Sequence, residues 1–269
     1  MQEHITYFKP HFSVTYIIAC YNEETTIVST IESILLNCIN QDEIIIVDAV
    51  STDNTLARID ELQIPNTSLT VISEPDLGIY DAWNKAIKLS TKEWLVFIGS
   101  GDMLRTNYRE LINFNYEKSS KVNFIHFKAR YYISAVDNQF RLGFLGRYLI
   151  KNNFVARINI CHVASLHHRS LFQKHQFSTK YKIVSDYEFL LKNLSILNPL
   201  FIDDVLVDME ATGISSSSFD NFIEELIMKF NLGPKYFFAT LLWIVPRLVK
   251  RAFFITKCKL INAFLLKKL

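Results

Sequence analysis

Val47-Asp48-Ala49-Val50-Ser51-Thr52-Asp53-Asn54-Thr55 links an apolar run, Ile44-Ile45-Ile46-Val47, to a helix-like segment from Leu56 to Leu62. The spacing places Asp48 where a buried strand ends and a helix begins, and the Ser-Thr-Asp-Asn run is favourable helix-capping chemistry. Ligands of open α/β sheets bind in the crevice outside the carboxyl ends of the strands, so a carboxylate at that point faces a ligand. For Asp48 taken alone, a helix cap is the plain alternative.

The same unit recurs on both sides of this stretch. Val14 to Cys20 is a second buried-strand run, followed by Tyr21-Asn22-Glu23-Glu24 and an apolar stripe at Ile27, Ile31, Ile34, Leu35 and Cys38, the spacing of a helix laid on a sheet. Strand, loop and helix then alternate over 44–48 and 53–62, 69–73 and 79–90, and 94–98 and 104–118. Such alternation implies right-handed βαβ crossovers. The expected fold is a doubly wound, Rossmann-like α/β domain, with a mainly parallel central sheet and helices on both faces.

Composition agrees with a packed domain: 49% of the 269 residues are hydrophobic and 21% charged, too apolar for disorder. The four cysteines form no C-x-x-C pair, which fits buried thiols in a reducing compartment and no zinc site. Val14 to Cys20 is too short for a signal peptide and is followed by polar residues, so the expected location is cytoplasmic. The first strand-to-helix turn, Ala19-Cys20-Tyr21-Asn22-Glu23-Glu24, contains no glycine, which excludes the G-x-G-x-x-G of nicotinamide dehydrogenases and the P-loop of NTPases.

Other groups must then hold a nucleotide. Tyr21 offers a ring to stack on a base, and Asp48 offers an acceptor pair for a base N–H. Pro75 and Gly78 mark a tight loop before a helix whose buried stripe is Ile79, Trp83, Ala86 and Ile87, leaving Asp76, Tyr80, Asp81 and Asn84 as the polar group nearest the loop. Asp81 is equally placed as an ordinary first-turn acid. After the strand Trp94 to Ile98, Gly99-Ser100-Gly101-Asp102 supplies an acid of the kind that ligates Mg²⁺ or Mn²⁺ bridging two phosphates, a turn aspartate being the bland reading.

These motifs, in this order and over about residues 12 to 215, resemble the signatures of glycosyltransferase family 2, with the GT-A fold. The resemblance implies an inverting transferase that uses a nucleotide-diphosphate sugar and a Mn or Mg cation, of the bacterial surface-polysaccharide type. It assigns Tyr21, Glu24, Asp48, Ser51, Asp76, Gly78, Asp81, Asn84, Gly101 and Asp102 to the donor, with Asp102 as the metal ligand. One position departs: the family's acidic turn usually reads Ser/Ala-Asp-Asp, and Gly101 stands where the first of its two acids would be. A catalytically weak or silent sugar-nucleotide-binding homologue is therefore the rival reading.

The second half carries the acceptor side. Residues 123–133 read as a long strand, and 135–160 as a loop-like stretch rich in aromatic and basic residues, of which Arg147 is an acceptor-side candidate. Cys161 to Phe172 resembles the family's Asn-His-Gln segment and gives His162 the same side, although a lone histidine there is more often in the core. Ser185-Asp186-Tyr187-Glu188 has the capping-box pattern, which puts Asp186 in the first turn, where the helix dipole favours its ionised form. The segment Tyr181 to Glu188 is similar to the family's Ala-Asp-Tyr-Asp motif, whose first aspartate is the general base, and this implies that role for Asp186. An ordinary carboxylate is a weak base for an alcohol, a tension eased if proton transfer accompanies loss of the nucleotide. Residues 201–209 alternate like an edge strand, and Ala211 to Ser215 resembles the family's closing element before a serine linker, giving a 1–218 domain.

Residues 219–269 differ from the rest. Over 221–269, nine Lys/Arg face two Glu, so this segment is net +7 and the remainder net −5. Its longest uncharged stretch, Tyr236 to Pro246, falls well short of the roughly 18–20 residues that span a bilayer. Interspersed Trp243, Phe, Leu and basic residues fit interfacial helices on an anionic membrane surface ahead of nucleic acid, the alternative being helices that cap the body. The expectation is a protein peripheral on the inner face of the cell membrane, acting on a saccharide or lipid-linked saccharide.

Overall fold

The computed structural model describes residues 12–242 apart from 63, 65–67, 106–107, 117–120, 134–140, 146–154, 156–159 and 211–218. Arg147, the closing 211–215 element and the boundary at 218 lie outside the described residues. Strands β1 (Val14–Cys20), β2 (Glu43–Asp48), β3 (Ser68–Ser73) and β4 (Trp94–Gly99) alternate with helices α1 (Ile27–Leu35), α2 (Thr55–Asp60) and α3 (Ile79–Leu89). There follow β5 (Met103–Leu104), α4 (Tyr108–Tyr116), β6 (Phe124–Ile133), β7 (Arg141–Leu145), β8 (Ser165–His168), α5 (Ser185–Lys192), β9 (Pro199–Glu210) and α6 (Phe219–Leu232).

One sheet runs β3-β2-β1-β4-β8-β6-β9-β5, with β7 on β6. Its β3-β2-β1-β4 half is parallel, while β8 runs antiparallel to both β4 and β6. The parallel strands read as unbroken apolar runs because both faces are covered. Tyr16, Ile18, Ile44, Ile46, Val96 and Ile98 pack with α1 on one face. On the other, Ile17, Ile45, Val47, Leu95 and Phe97 pack with α3 and α5.

Strand order produces the crevice. The chain winds from β1 out to β3 and then returns to β4 on the other side of β1, leaving a gap at their carboxyl ends. Register levels those ends: Cys20 pairs Asp48, Asp48 pairs Ser73, and Ala19 pairs Gly99.

Three local expectations change. The β9 strand runs parallel to β6 and is an edge strand over most of its length, but at Val207 and Asp208 it gains an outer partner, the two-residue β5. Within 135–160, residues 141–145 form a strand, paired antiparallel with β6, instead of loop. Helix α6 also docks on the body: Met228 is fully buried with Trp83, Tyr187 and Phe189, and Leu232 and Tyr236 pack against that cluster. Burying a methionine stabilises by about 1.5–3 kcal/mol, so the start of the C-terminal segment belongs with the α/β core.

Candidate active site

The loops after β1 and β2 form one unit at the crevice. The amide of Asn22 donates to Ser51 Oγ at 2.8 Å, and the Asn22 side-chain oxygen accepts from the Thr52 amide at 2.8 Å. Glu24 accepts from the Asn54 amide and side chain at 3.0 and 2.9 Å, and Asp53 accepts from the Glu24 amide at 3.1 Å. Asn22 and Val50 both carry positive φ, 57° and 61°. For a β-branched valine that is an outlier, and it sits where such strain concentrates, at a ligand-facing loop. Tyr21 projects from this unit, 56% exposed, with its ring open to a planar partner.

Asp48 departs from the sequence expectation. It is fully buried, and its carboxylate accepts from the Ser51 amide at 3.0 Å, the Ser73 hydroxyl at 2.6 Å, the Ser51 hydroxyl and, weakly, the Cys20 thiol at 3.8 Å. Its lone pairs are occupied by Ser51 of the β2–α2 turn and by the last residues of β1 and β3, so a base N–H reaches it only by displacing one of these donors. Burial and the Asp48 charge push the Cys20 thiol up to about 12.

The 74–85 loop is tied by a cation that sequence reading passed over. Lys85 Nζ lies 3.0 Å from Glu74, 3.4 Å from Asp81 and 2.6 Å from the Pro75 carbonyl. Asp76 accepts from the Gly78 amide at 2.8 Å, and Asp81 from the Leu77 amide at 3.2 Å. Asn84, expected on the loop side, is instead buried, donating to the Phe177 carbonyl at 2.8 Å and accepting from its amide at 3.1 Å. It braces the segment before α5. An Asn one turn into a helix gives no local sign of whether it faces ligand or a strand-distant backbone.

At the end of β4 the chain turns tightly. The Gly99 amide donates to Asp102 Oδ2 at 3.3 Å, and a Cβ on Gly99 would stand 2.9 Å from that oxygen and push the carboxylate aside. Gly101 has φ +95°, and its amide donates to Thr30 Oγ1 at 2.9 Å. The glycine that departs from the family pattern thus occupies a conformation that L side chains rarely adopt. Among the described residues no group of three His, Cys, Asp or Glu could hold a metal ion. The donor set therefore fits a divalent cation only as one shared with a diphosphate: Asp102 supplies a single hard oxygen ligand.

Asp186 lies at the start of α5, and the cap differs from the expected box. Val184 is the N-cap, Ser185 Oγ accepts from the Ser178 amide at 2.5 Å, and Glu188 pairs with Lys192 at 2.9 Å. Asp186 Oδ1 accepts from the Tyr187 amide at 2.8 Å and from the Tyr80 hydroxyl at 3.2 Å. The same hydroxyl donates at 2.6 Å to the Ile183 carbonyl. The surrounding protein strips water from the Asp186 carboxylate and raises it to about 6, a rise that those hydrogen bonds only partly oppose. Desolvation outweighs the helix dipole at this carboxylate. The raised value eases the weak-base difficulty, and at pH 7 the carboxylate is still mostly ionised.

Cys161 connects the two acids. Burial raises its thiol to about 12, and the charges of both Asp102 and Asp186 add to the rise. The charges of the candidate metal ligand and the candidate base thus both reach one buried thiol.

Comparison with known proteins bears on this site. The family model described as Glycosyl transferase family 2 matches residues 15–143, which contain the β1, β2, β3 and β4 termini. The match supports a family 2 glycosyltransferase. Among similar relatives is a PGL/p-HBAD biosynthesis glycosyltransferase of Mycobacterium bovis, 28% identical over 244 residues, which are 83% of this chain and 87% of that protein. A poly-beta-1,6-N-acetyl-D-glucosamine synthase of Staphylococcus aureus is 27% identical over 106 residues, 39% of this chain and 26% of that protein. Among solved structures, the S. aureus TarS fragment 1–349 in complex with UDP-GlcNAc superposes with TM-score 0.61 at 16% identity, over 81% of this chain and 66% of that one. The mannosyltransferase PcManGT from Pyrobaculum calidifontis, in complex with GDP-Man and Mn2+, gives TM-score 0.63 at 17% identity, over 85% and 67%. These likenesses show the GT-A fold.

His162 lies in the core and not on an open acceptor face. Its ring stacks on Trp83 at 4.8 Å and on Phe97 at 5.2 Å, neither ring nitrogen meets a hydrogen-bond partner among the described residues, and burial lowers it to about 3. It is neutral at any working pH. Tyr80 is the residue that the sequence counted in the polar group but gave no role, because its contact to Asp186 spans 106 positions.

Proposed function

We propose that this chain is a metal-dependent, inverting glycosyltransferase that moves a sugar from a nucleotide-diphosphate sugar to a hydroxyl of a saccharide acceptor, lipid-linked, in the assembly of a cell-surface glycan. The observation that carries the reading is Asp186: a carboxylate raised to about 6 by burial, held by Tyr80 and the Tyr187 amide, and acting together with Asp102 on the Cys161 thiol. A base with a pKa near the operating pH is the one best suited to take a proton from an alcohol. Inversion follows from the acceptor oxygen bonding to the anomeric carbon on the face opposite the diphosphate, as the carbon–oxygen bond to the diphosphate breaks and Asp186 receives the hydroxyl proton.

Tyr21 would stack on the base, the 21–24 and 51–55 loops would shape its pocket, and Asp102 would hold the cation. A bound Mn or Mg neutralises charge on the departing diphosphate. Donor class is supported by the nucleotide sugars in the TarS and PcManGT complexes, and a surface glycan by the names of the mycobacterial and staphylococcal relatives. The test is release of nucleoside diphosphate from a panel that includes UDP-GlcNAc and GDP-mannose with Mn²⁺, using the full chain and Asp186→Asn. Loss of turnover in the variant is expected; no turnover by either protein with any donor favours the silent homologue, which Gly101 and the saturated Asp48 motivate.

Membrane association is the second part of the proposal. Among the described residues no helix is long and apolar enough to cross a membrane. The outer face of α6 exposes Ile223, Ile227 and Phe230 at i, i+4, i+7 spacing, the last 68% exposed, and Phe238 and Leu242 continue the apolar surface. With the basic residues that follow, this suits an anionic inner membrane face. Full-length protein should float with phosphatidylserine vesicles, and Ile227→Asp with Phe230→Asp should stay at the bottom of the gradient. Equal flotation of the two removes the claim.

A further inference from the structure

The carboxylate of Glu224 lies on the inner side of α6, outside the proposed site. It accepts from two consecutive backbone amides, Lys182 at 2.6 Å and Ile183 at 2.8 Å. Two N–H groups on one carboxylate are charge-assisted bonds, about twice as strong as neutral ones, and they tie down the backbone at Lys182 and Ile183. That matters because the Ile183 carbonyl, on the next peptide unit, accepts the Tyr80 hydroxyl at 2.6 Å, and that hydroxyl is the side-chain donor to Asp186.

We infer that Glu224 is a positioning residue for the base: from the C-terminal helix it clamps the backbone amides of Lys182 and Ile183, and so fixes the Ile183 carbonyl that holds the Tyr80 hydroxyl off Asp186 and keeps that carboxylate dry. The inference rests on the reading of Asp186 as the base. The clamp is directional. While the Ile183 carbonyl holds the hydroxyl at 2.6 Å, Asp186 receives only the longer bond of 3.2 Å. Were the loop released, the hydroxyl would turn to Asp186 and water would enter, and both changes favour the ionised form. Among the described residues, the titratable groups coupled to Asp186 are Tyr80 from α3 and Cys161 ahead of β8, and neither is ionised near neutral pH.

The rest of α6 supports a fixed anchor. Met228 is buried, the buried Lys229 pairs with Glu225 at 2.7 Å and lies 4.8 Å over the Tyr187 ring, and Asn231 donates to the Tyr181 hydroxyl at 3.0 Å. The helix that presents Ile223, Ile227 and Phe230 to solvent is therefore also the one that sets the base. Nothing in residues 180–186 announces such a partner, because Glu224 lies 41 and 42 positions away.

The test uses the full chain and three variants. In Glu224→Ala, amide exchange at Lys182 and Ile183 should speed up at least tenfold. The Asp186 carboxyl, followed by ¹³C NMR and assigned with Asp186→Asn, should titrate lower, moving from about 6 by about one unit toward the ordinary carboxyl range. Glu224→Gln, which keeps one acceptor, should fall between. Asn231→Ala removes a comparable α6 contact that misses the clamp, and should leave both readouts where they are even if it melts earlier. Unchanged exchange and titration in both Glu224 variants, or the same shift in Asn231→Ala, overturns the inference. Should Glu224→Ala fail to fold, Glu224→Gln against Asn231→Ala decides alone. Because these readouts need no sugar donor, retained turnover in Asp186→Asn would remove the base assignment separately.

Discussion

Tyr80→Phe isolates the hydroxyl that touches the proposed base. The variant keeps the ring in its edge contact with Trp83 and removes one oxygen, which donates to Asp186 at 3.2 Å and to the Ile183 carbonyl at 2.6 Å. A hydrogen bond to a charged group contributes about 1.5–3 kcal/mol, and this one is long and shared, so the low end applies. At about 1.4 kcal/mol per pKa unit, losing it raises Asp186 by roughly one unit, from about 6 to about 7. The carboxylate must be ionised to take a proton, so the acid limb of kcat/KM should move up by that unit. Rate at pH 6 should then fall about fivefold, while rate above pH 8.5 stays near that of the parent. Initial rates of nucleoside diphosphate release from pH 5 to 9, with the donor that the panel identifies, measure this. An acid limb that stays in place or moves down refutes the assignment of Tyr80 as donor to the base.

Asp186→Asn makes a further prediction about stability. Because folding raises this carboxyl from about 3.8 to about 6, its neutral form is favoured in the folded chain and ionisation destabilises progressively as pH rises between those values. The variant should therefore melt higher than the parent at pH 7.5, by an amount on the order of 2 kcal/mol, and the difference should vanish below pH 4, in thermal scans across that range. Gly101→Asp, which restores the family's acid, places a side chain at φ +95° and should cost about 1–2 kcal/mol, lowering Tm by about 2–4 °C per kcal/mol, without raising Mn²⁺-dependent turnover. Asn84→Leu removes both partners of the Phe177 backbone and should destabilise by about 2–4 kcal/mol, read as a shift in urea midpoint at constant m; a neutral outcome would return Asn84 to the donor side.

Much of the α/β half was legible in the chain. The runs at 14–20, 44–48 and 94–98 read correctly as buried strands because both faces of each strand are covered, and so did the stripes of α1 and α3. The sequence also located the acids at strand termini. It misjudged Asp48, whose neighbours Ser51 and Ser73 were visible but whose saturation was not. It placed His162 on the acceptor side, since the rings that hold it in the core, Trp83 and Phe97, lie 79 and 65 positions away. The capping box at Ser185 failed for a similar reason: the Ser178 amide reached the hydroxyl first.

By itself, then, the order of residues determined the alternation of strand and helix, the family resemblance, and the chemistry on offer at each strand end, because periodicity and turn composition depend on neighbours along the chain. Whether a given carboxylate is dry, saturated or open was decided only by tertiary structure. Desolvation and hydrogen-bond occupancy are set by groups such as Tyr80 and Ile183 or Glu224 and Lys182, which chain distance separates and packing brings within 3 Å.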